Sequence, residues 1–202
     1  MQNKVQSPIT GGVCEFYCLK EGVNYYRCLD TKTIFTPDVL NQADMVGGTN
    51  ELDRNFGGNH ARISRIQNIL PVVTVLDYGC GNGMFLETML SRGLIAEGYD
   101  PYSEKYKKKP KRFYDVITMI EVIEHTRSPF DELRHVHSLL RPGGLLYIET
   151  SFSDWVNKDH PYLNPRIGHC TVFSQIGLDM VMMQRGFQYL NPIDNNTRLY
   201  TK

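Results

Sequence analysis

No stretch of this 202-residue chain runs to ten apolar residues, far short of the ~20 that a membrane-spanning helix needs. Neither sign of charge is in excess: 22 Lys and Arg balance 22 Asp and Glu, so no global field draws the protein to nucleic acid or to a lipid surface. The opening M-Q-N-K-V-Q-S-P lacks the apolar core of a signal peptide. Five cysteines, at 14, 18, 28, 80 and 170, are odd in number and scattered, which argues for reduced thiols over a disulfide framework. These absences predict a cytoplasmic protein that does not enter a membrane. No internal repeat is present, and the length suits one domain with a substantial core plus a small appendage.

What is present is an alternation of short β-like runs with helical patterns, which predicts an α/β fold of three layers around a largely parallel sheet. A lead-in helix is expected over 59–70 and a buried strand over 72–78. Met84 to Arg92 has helical periodicity and stops at Gly93. Further strands are expected at 94–99, 115–122 and 145–150, with R-P-G-G at 141–144 as the turn into the last. A helix from Pro129 to Leu140 takes Ser128 as its cap, and one over 174–185 takes Ser174. The chain then reads as a hairpin of 187–193 and 197–201 around D-N-N.

The stretch V-L-D-Y-G-C-G-N-G at 75–83 runs a strand into a glycine-rich turn and a helix start. Such a turn aims backbone N–H groups and the helix dipole at one spot, and its glycines let a polar or anionic ligand touch the backbone. Taken alone it could also be an ordinary glycine turn. The dinucleotide fingerprint G-x-G-x-x-G needs a glycine where Met84 stands, which disfavours a nicotinamide-dependent oxidoreductase. The loop instead reads D-x-G-x-G-x-G, and it is followed by E-V-I-E-H at 121–125, L-R-P-G-G at 140–144, F-S at 173–174 and R-G-F at 185–187. In order and spacing these resemble the class I S-adenosylmethionine-dependent methyltransferases of the type 11 and type 23 kind, over about residues 55–202.

The resemblance implies a Rossmann-like, mostly parallel sheet closed by an antiparallel hairpin, with S-adenosylmethionine as donor and S-adenosylhomocysteine as product. It implies that Asp77 seats the methionine amino end, and that Tyr78, Gly79, Cys80, Gly81, Asn82 and Gly83 form the loop the cofactor touches. Asp100, with Pro101 beside it, would accept hydrogen bonds from the ribose hydroxyls. Tyr102 and Ile120 are candidate walls for adenine, and Glu121 or Glu124 is expected to hold loop or cofactor groups. Between Asp100 and Phe113 stand only twelve residues, P-Y-S-E-K-Y-K-K-K-P-K-R, where the family fits a helix, a strand and a loop. A parallel crossover alone takes about that many, so the usual third, edge strand is expected to be missing. The six cations of 105–112 read as a patch for a phosphate-bearing substrate or RNA, or as a solvated linker that discourages edge pairing.

Residues 1–45 are expected to form a small separate segment, with the methyltransferase domain over 46–202. Ser7, Thr10, Cys28 and Thr31 stand at the spacings of a four-cysteine zinc ribbon, and Y-Y-R-C-L-D-T-K-T-I-F resembles the ribbon that relatives carry. Hydroxyls are poor zinc ligands, so no metal is expected; Cys14, Cys18 and Cys28 with a fourth ligand, or as small apolar residues of a strand pair, are the other readings.

Methyl transfer from a sulfonium is an in-line displacement that mainly requires alignment and exclusion of water. A hydroxyl acceptor must also lose its proton, which makes His125 and His169 the candidate bases; hydrogen bonding within the loop is the plainer role for His125. His135 and His137, on the predicted helix, have no catalytic role in this reading. The aromatic, polar insert 151–173, with Trp155, His160, Tyr162, Arg166 and His169, is expected to line the pocket of a small-molecule or glycan acceptor. The competing functions are a regulatory module that has lost activity, and an RNA or protein methyltransferase.

Overall fold

A computed structural model describes residues 5–38, 40, 56–70 and 74–202, without the side chains of Phe56, Gly57 and Pro192. The boundary expected after residue 45 and the first two positions of the strand expected from 72 lie outside the described residues.

Strands β1 (Cys14–Lys20), β2 (Val23–Cys28) and β3 (Ile34–Phe35) come first, then helix α1 (Phe56–Ile69). The alternating half follows: β4 (Thr74–Tyr78), α2 (Met84–Ser91), β5 (Ile95–Tyr99), β6 (Tyr114–Ile120), α3 (Pro129–Leu139) and β7 (Leu140–Glu149). After β8 (Thr171–Val172) come α4 (Gln175–Gln184) and the pair β9 (Gln188–Pro192) and β10 (Thr197–Thr201). Six strands form the main sheet in the order β5-β4-β6-β7-β10-β9. The first four are parallel, whereas β10 runs antiparallel to both β7 and β9. The sheet is therefore Rossmann-like with a terminal antiparallel hairpin, and β5 is its edge. Residues 101–113 contain turns and no strand, as their length requires.

Side chains alternate across this sheet with the period of two that a strand imposes. Leu76, Ile117 and Leu146 enter one core with Leu133 and Val136 of α3 and Leu178 and Val181 of α4. Their neighbours Val75, Val116 and Leu145 enter the other with Ile63 and Ile66 of α1 and Phe85 and Met89 of α2. With both faces covered, only the strand ends are open to a ligand, and the carboxyl ends of β4 to β7 become the place to look for a site.

Two local expectations are corrected. R-P-G-G does not turn into β7 but belongs to it, because the chain end runs alongside: Gly143 N donates to Lys202 O (3.0 Å) and Lys202 N to Gly144 O (3.2 Å). Ser128 precedes α3 but makes no side-chain cap, its hydroxyl going instead to Asp131 Oδ2 at 2.6 Å. Ser174 does cap α4, accepting from Gly177 N at 2.9 Å.

The amino-terminal strands form a second, antiparallel sheet in the order β1-β2-β3-β8, whose fourth strand comes from the far end of the 151–173 insert. Tyr25, Ile34, Val156, Leu163 and Val172 form its core. Contact with α4 is close enough to require glycine, since a Cβ on Gly177 would fall 2.1 Å from Thr33 Oγ1. A bulge at Tyr17 reverses the alternation of β1, so Cys14 pairs with Cys28 on one face while Cys18 pairs with Tyr25 on the other.

Candidate functional site

Along the carboxyl edge, β4 delivers Asp77, which is 4% exposed and accepts from Thr118 Oγ1 at 2.9 Å. Burial, with the Asp100 carboxylate adding to it, pushes Asp77 up to about 7, against the Thr118 hydrogen bond and the Arg62 charge. The chain then turns through Gly79, Gly81 and Gly83, all at positive φ (79°, 54° and 89°), conformations that glycine adopts without the steric cost a Cβ brings. Gly79 N and Cys80 N both donate to Tyr99 O (2.7 and 3.1 Å), which ties the loop to β5. Asp100, after β5, accepts from Gly81 N (3.0 Å) and Tyr102 N (2.8 Å) through its two oxygens. A carboxylate has about four lone-pair sites, so each oxygen keeps one for a diol. Tyr78 instead points inward, its hydroxyl bonded to Glu132, and Cys80 is buried with its thiol pushed up by that burial. Asn82 Oδ1 accepts from Met84 N at the start of α2 (3.2 Å). Pro101 and Tyr102 are exposed, and Ile120 packs against the core under the edge.

The loop 101–112 does not stand away from this corner. Asp100 N donates to Tyr106 O at 3.1 Å, and a Cβ on Gly83 would fall 2.4 Å from the Tyr106 hydroxyl. Tyr106 thus covers the last glycine of the turn. Sequence reasoning passed over it because lysines surround it. Of those cations, Lys105 pairs with Glu87 (3.8 Å), Lys107 with Glu104 (2.6 Å) and Arg112 with Glu97 (3.0 Å), all on the surface.

Beyond β6, Glu121 takes the left-handed conformation (φ 52°) and its N–H donates to Glu149 O (2.8 Å), bending the chain into a turn of 3₁₀ helix over Ile123–His125. A positive φ is uncommon for a residue with a side chain; Glu121 shares it with Glu21 and Lys32, which stand on turns of the small sheet. Its carboxyl is pushed up by burial among its neighbours and by Glu124 beside it. Glu149 is held by Arg62 of α1, which grips both of its oxygens.

Glu124 has no exposure, and its carboxyl accepts from Tyr162 Oη (2.6 Å) and Thr150 Oγ1 (3.1 Å). Burial raises its proton affinity, and no ion pair among the described residues reaches it. The His125 and His169 rings lie 4.7 Å apart, and His169 is 4.1 Å from the Tyr162 ring. His169 Nδ1 donates to Tyr162 O at 2.7 Å; His125 bonds the Gly168 backbone, and its Nδ1 is buried without a partner. Burial lowers both imidazoles, and for His169, with the nearby His125 adding to the effect, to about 3. Glu124, His125 and His169 each present a ligand atom within 4.8 Å of the others. A buried carboxylate with two neutral imidazoles, each tied back through a backbone carbonyl, is a donor set suited to a divalent cation.

Of the five insert residues expected around an acceptor, Tyr162 and His169 join this cluster. Arg166 turns away to pair with Glu21 on the β1–β2 turn, His160 Nδ1 accepts from Tyr162 N (3.2 Å), and Trp155 is exposed beside a second opening near Asp194 and Arg198. A cleft of about 480 Å³ opens between α1 and the β9–β10 turn, lined by Arg62, Arg65, Glu149 and Asp194 among others, and not by the three cluster residues. His169 is braced from the small sheet: Tyr25 Oη donates to its carbonyl at 3.0 Å. Sequence reasoning missed Tyr25 and Arg62 as members of this corner, since each is distant from the motifs it serves.

The parallel sheet, the glycine turn between two strand-end carboxylates and the terminal hairpin define a Rossmann-like transferase of the nucleotide-sulfonium kind. Comparison with known proteins agrees: the methyltransferase domain family matches residues 49–191, more than half of the chain. The chain belongs to that family, the S-adenosylmethionine-dependent class I methyltransferases. The ubiquinone biosynthesis O-methyltransferase of Aeromonas salmonicida is 30% identical over 100 residues, which cover 38% of this chain and 42% of that protein. Less than half of that relative is therefore represented in the match. Among solved structures, a 1,6-didemethyltoxoflavin-N1-methyltransferase from Burkholderia thailandensis has a similar fold (TM-score 0.55, 13% identity, 87% of this chain and 98% of that one). So has an amino pentose methyltransferase from Micromonospora echinaspora (TM-score 0.54, 14% identity, 72% and 90%). Among the described residues no helix is long and apolar enough to cross a membrane.

Proposed function

We propose that the protein transfers the methyl group of S-adenosylmethionine to a hydroxyl of a small ring compound or sugar, at the Glu124, His125 and His169 corner. The observation that carries this reading is the juxtaposition of that corner with the Asp77 and Asp100 loop on one edge of one sheet. Asp77 and Asp100 suit a ligand with an ammonium group and a diol, and Gly81, with no side chain within 4 Å of where its Cβ would stand, leaves the backbone bare for it. An oxygen acceptor fits the second corner because a hydroxyl must be deprotonated as it is methylated. The name of the Aeromonas relative, an O-methyltransferase, points the same way.

His169, held near 3, is too weak a base to serve alone. We assign Glu124, His125 and His169 instead to a divalent cation, which when bound lowers the pKa of a coordinated hydroxyl. Tyr162 and Thr150 orient the Glu124 carboxylate, and Tyr25 holds the His169 backbone in place. The test is methyl transfer from S-adenosylmethionine to phenolic, catecholic and sugar acceptors, read as a mass gain of one methyl, in chelator and after adding Mg²⁺, Mn²⁺ or Zn²⁺. Turnover restored by a cation and absent in His169→Ala supports the assignment. Equal turnover in chelator would return the proton to a side-chain base.

Tyr106 over Gly83 favours one alternative, a module whose cofactor site is closed. Calorimetric titration with S-adenosylmethionine separates the two, because a closed loop binds neither donor nor product.

A further inference from the structure

Away from the sheet edge, the four positions with ribbon spacing do come together. Cys28 is fully buried; its sulfur lies 3.7 Å from Thr10 Oγ1, and Ser7 and Thr31 also hydrogen-bond it. Burial alone would raise this thiol, but the hydrogen bonds of the Ser7, Thr31 and Thr10 hydroxyls and of the Thr31 backbone outweigh it and bring Cys28 down to about 7. Hydroxyl donors favour a thiolate in the same way that they favour a carboxylate.

Opposite Cys28 in the β1–β2 register stands Cys14, only partly buried, and the two thiols interact. Cys28 N donates to Thr33 O and Cys28 O accepts from Lys32 N (both 2.9 Å), so its backbone groups face away from β1. Cys14 and Cys28 are therefore a non-hydrogen-bonded pair, the closer of the two antiparallel spacings, with Cα atoms about 4.5 Å apart. A disulfide accepts Cα separations of about 4.4–6.8 Å. Cys18 is on the opposite face, and Cys80 and Cys170 are buried elsewhere.

We infer that Cys14 and Cys28 form a peroxide-reactive dithiol site that closes reversibly to a disulfide across the open end of the β1–β2 hairpin. The Cys28 thiolate attacks one oxygen of a hydroperoxide; the S–O bond forms, the O–O bond breaks, and the leaving oxygen takes a proton to depart as water or an alcohol. Cys14 sulfur then attacks the Cys28 sulfenic acid, forming S–S and breaking S–O, and the departing hydroxide leaves as water with the Cys14 proton. Two thiols lose two electrons and the peroxide gains them. The pair is separate from the methyl-transfer corner, although β2 also carries Tyr25, which braces His169.

The test treats the full chain with hydrogen peroxide, alkylates the remaining thiols without reduction, and maps tryptic peptides by mass. Lys20 and Arg27 lie between the two cysteines, so their peptides separate unless they are bridged. We expect one linked species lacking two hydrogens, abolished by dithiothreitol, retained in Cys18→Ser and absent in Cys14→Ser. Cys14→Ser, at a partly exposed position, should instead give a dimedone adduct at Cys28. Cys14 and Cys28 both alkylated after oxidation, a link that disappears in Cys18→Ser, or no dimedone adduct in Cys14→Ser would overturn the inference.

Discussion

The two corners of the sheet edge are built differently. The Asp77 to Asp100 corner is made mostly by one stretch of chain: strand, glycine turn, helix and strand follow within 26 residues, and its hydrogen bonds stay inside that stretch or the turn just after it, apart from the Thr118 hydroxyl on Asp77. The Glu124 corner is assembled from segments far apart, with Thr150, Tyr162, His169 and Tyr25 converging on a three-residue turn. The local corner depends on the main sheet alone, whereas the convergent one depends also on the small sheet and the insert docking correctly.

If the corners are separable, His169→Ala should lower methyl transfer about a thousandfold, the span of a lost proton-handling group, while affinity for S-adenosylmethionine stays within a factor of two or so. Parallel loss of both, measured by mass-detected turnover and calorimetry, would break the distinction. Asp100→Ala removes the diol acceptor and two backbone partners, and should weaken cofactor binding about a hundredfold, given ~1.5–3 kcal/mol per charged hydrogen bond. Metal affinity at the other corner should not move.

The pH response should sort the corners as well. Asp77 is held up at about 7, so its folded value lies above the ~3.9 of an unfolded aspartate, and its contribution to stability is present in acid and lost as pH climbs to 7. A cofactor ammonium favours the ionised form. Affinity should then rise about tenfold per unit from pH 5 to 7 and level off above, a profile that Asp77→Asn should flatten. The smallest effect expected is Tyr25→Phe. It leaves the His169 carbonyl unpaired for ~1–3 kcal/mol, a melting midpoint lower by several degrees at about 2–4 °C per kcal/mol, with cofactor affinity unchanged.

How far the sequence could be read follows the same division. The glycine turn, both aspartates, the missing edge strand and the hairpin were legible because each depends on adjacent residues or on the length of one connection. The 3₁₀ turn at Ile123–His125 was visible only as a motif; Tyr162 and His169 were legible as part of an aromatic, polar insert, but Tyr25 was not, because it carries no local signal of what it touches. R-P-G-G has the composition of a turn, yet pairing with residue 202 made it strand, so tertiary contact overrode turn preference. Tyr106 was hidden by the charges around it, which spoke for solvent while the ring packed on Gly83.

The small sheet takes its last strand from Thr171 and Val172, and Thr33 is wedged against Ser174 and Gly177. For anyone designing a shorter enzyme, this means that the obvious place to trim, ahead of the first helix, is the wrong one. A chain begun at residue 46 would leave β8 with an open edge, strip the apolar cover from Val156, Leu163 and Val172, and free the carbonyl of His169. Strands β1 to β3 read like a detachable ornament, but they are part of the casting mould in which the Glu124 corner sets.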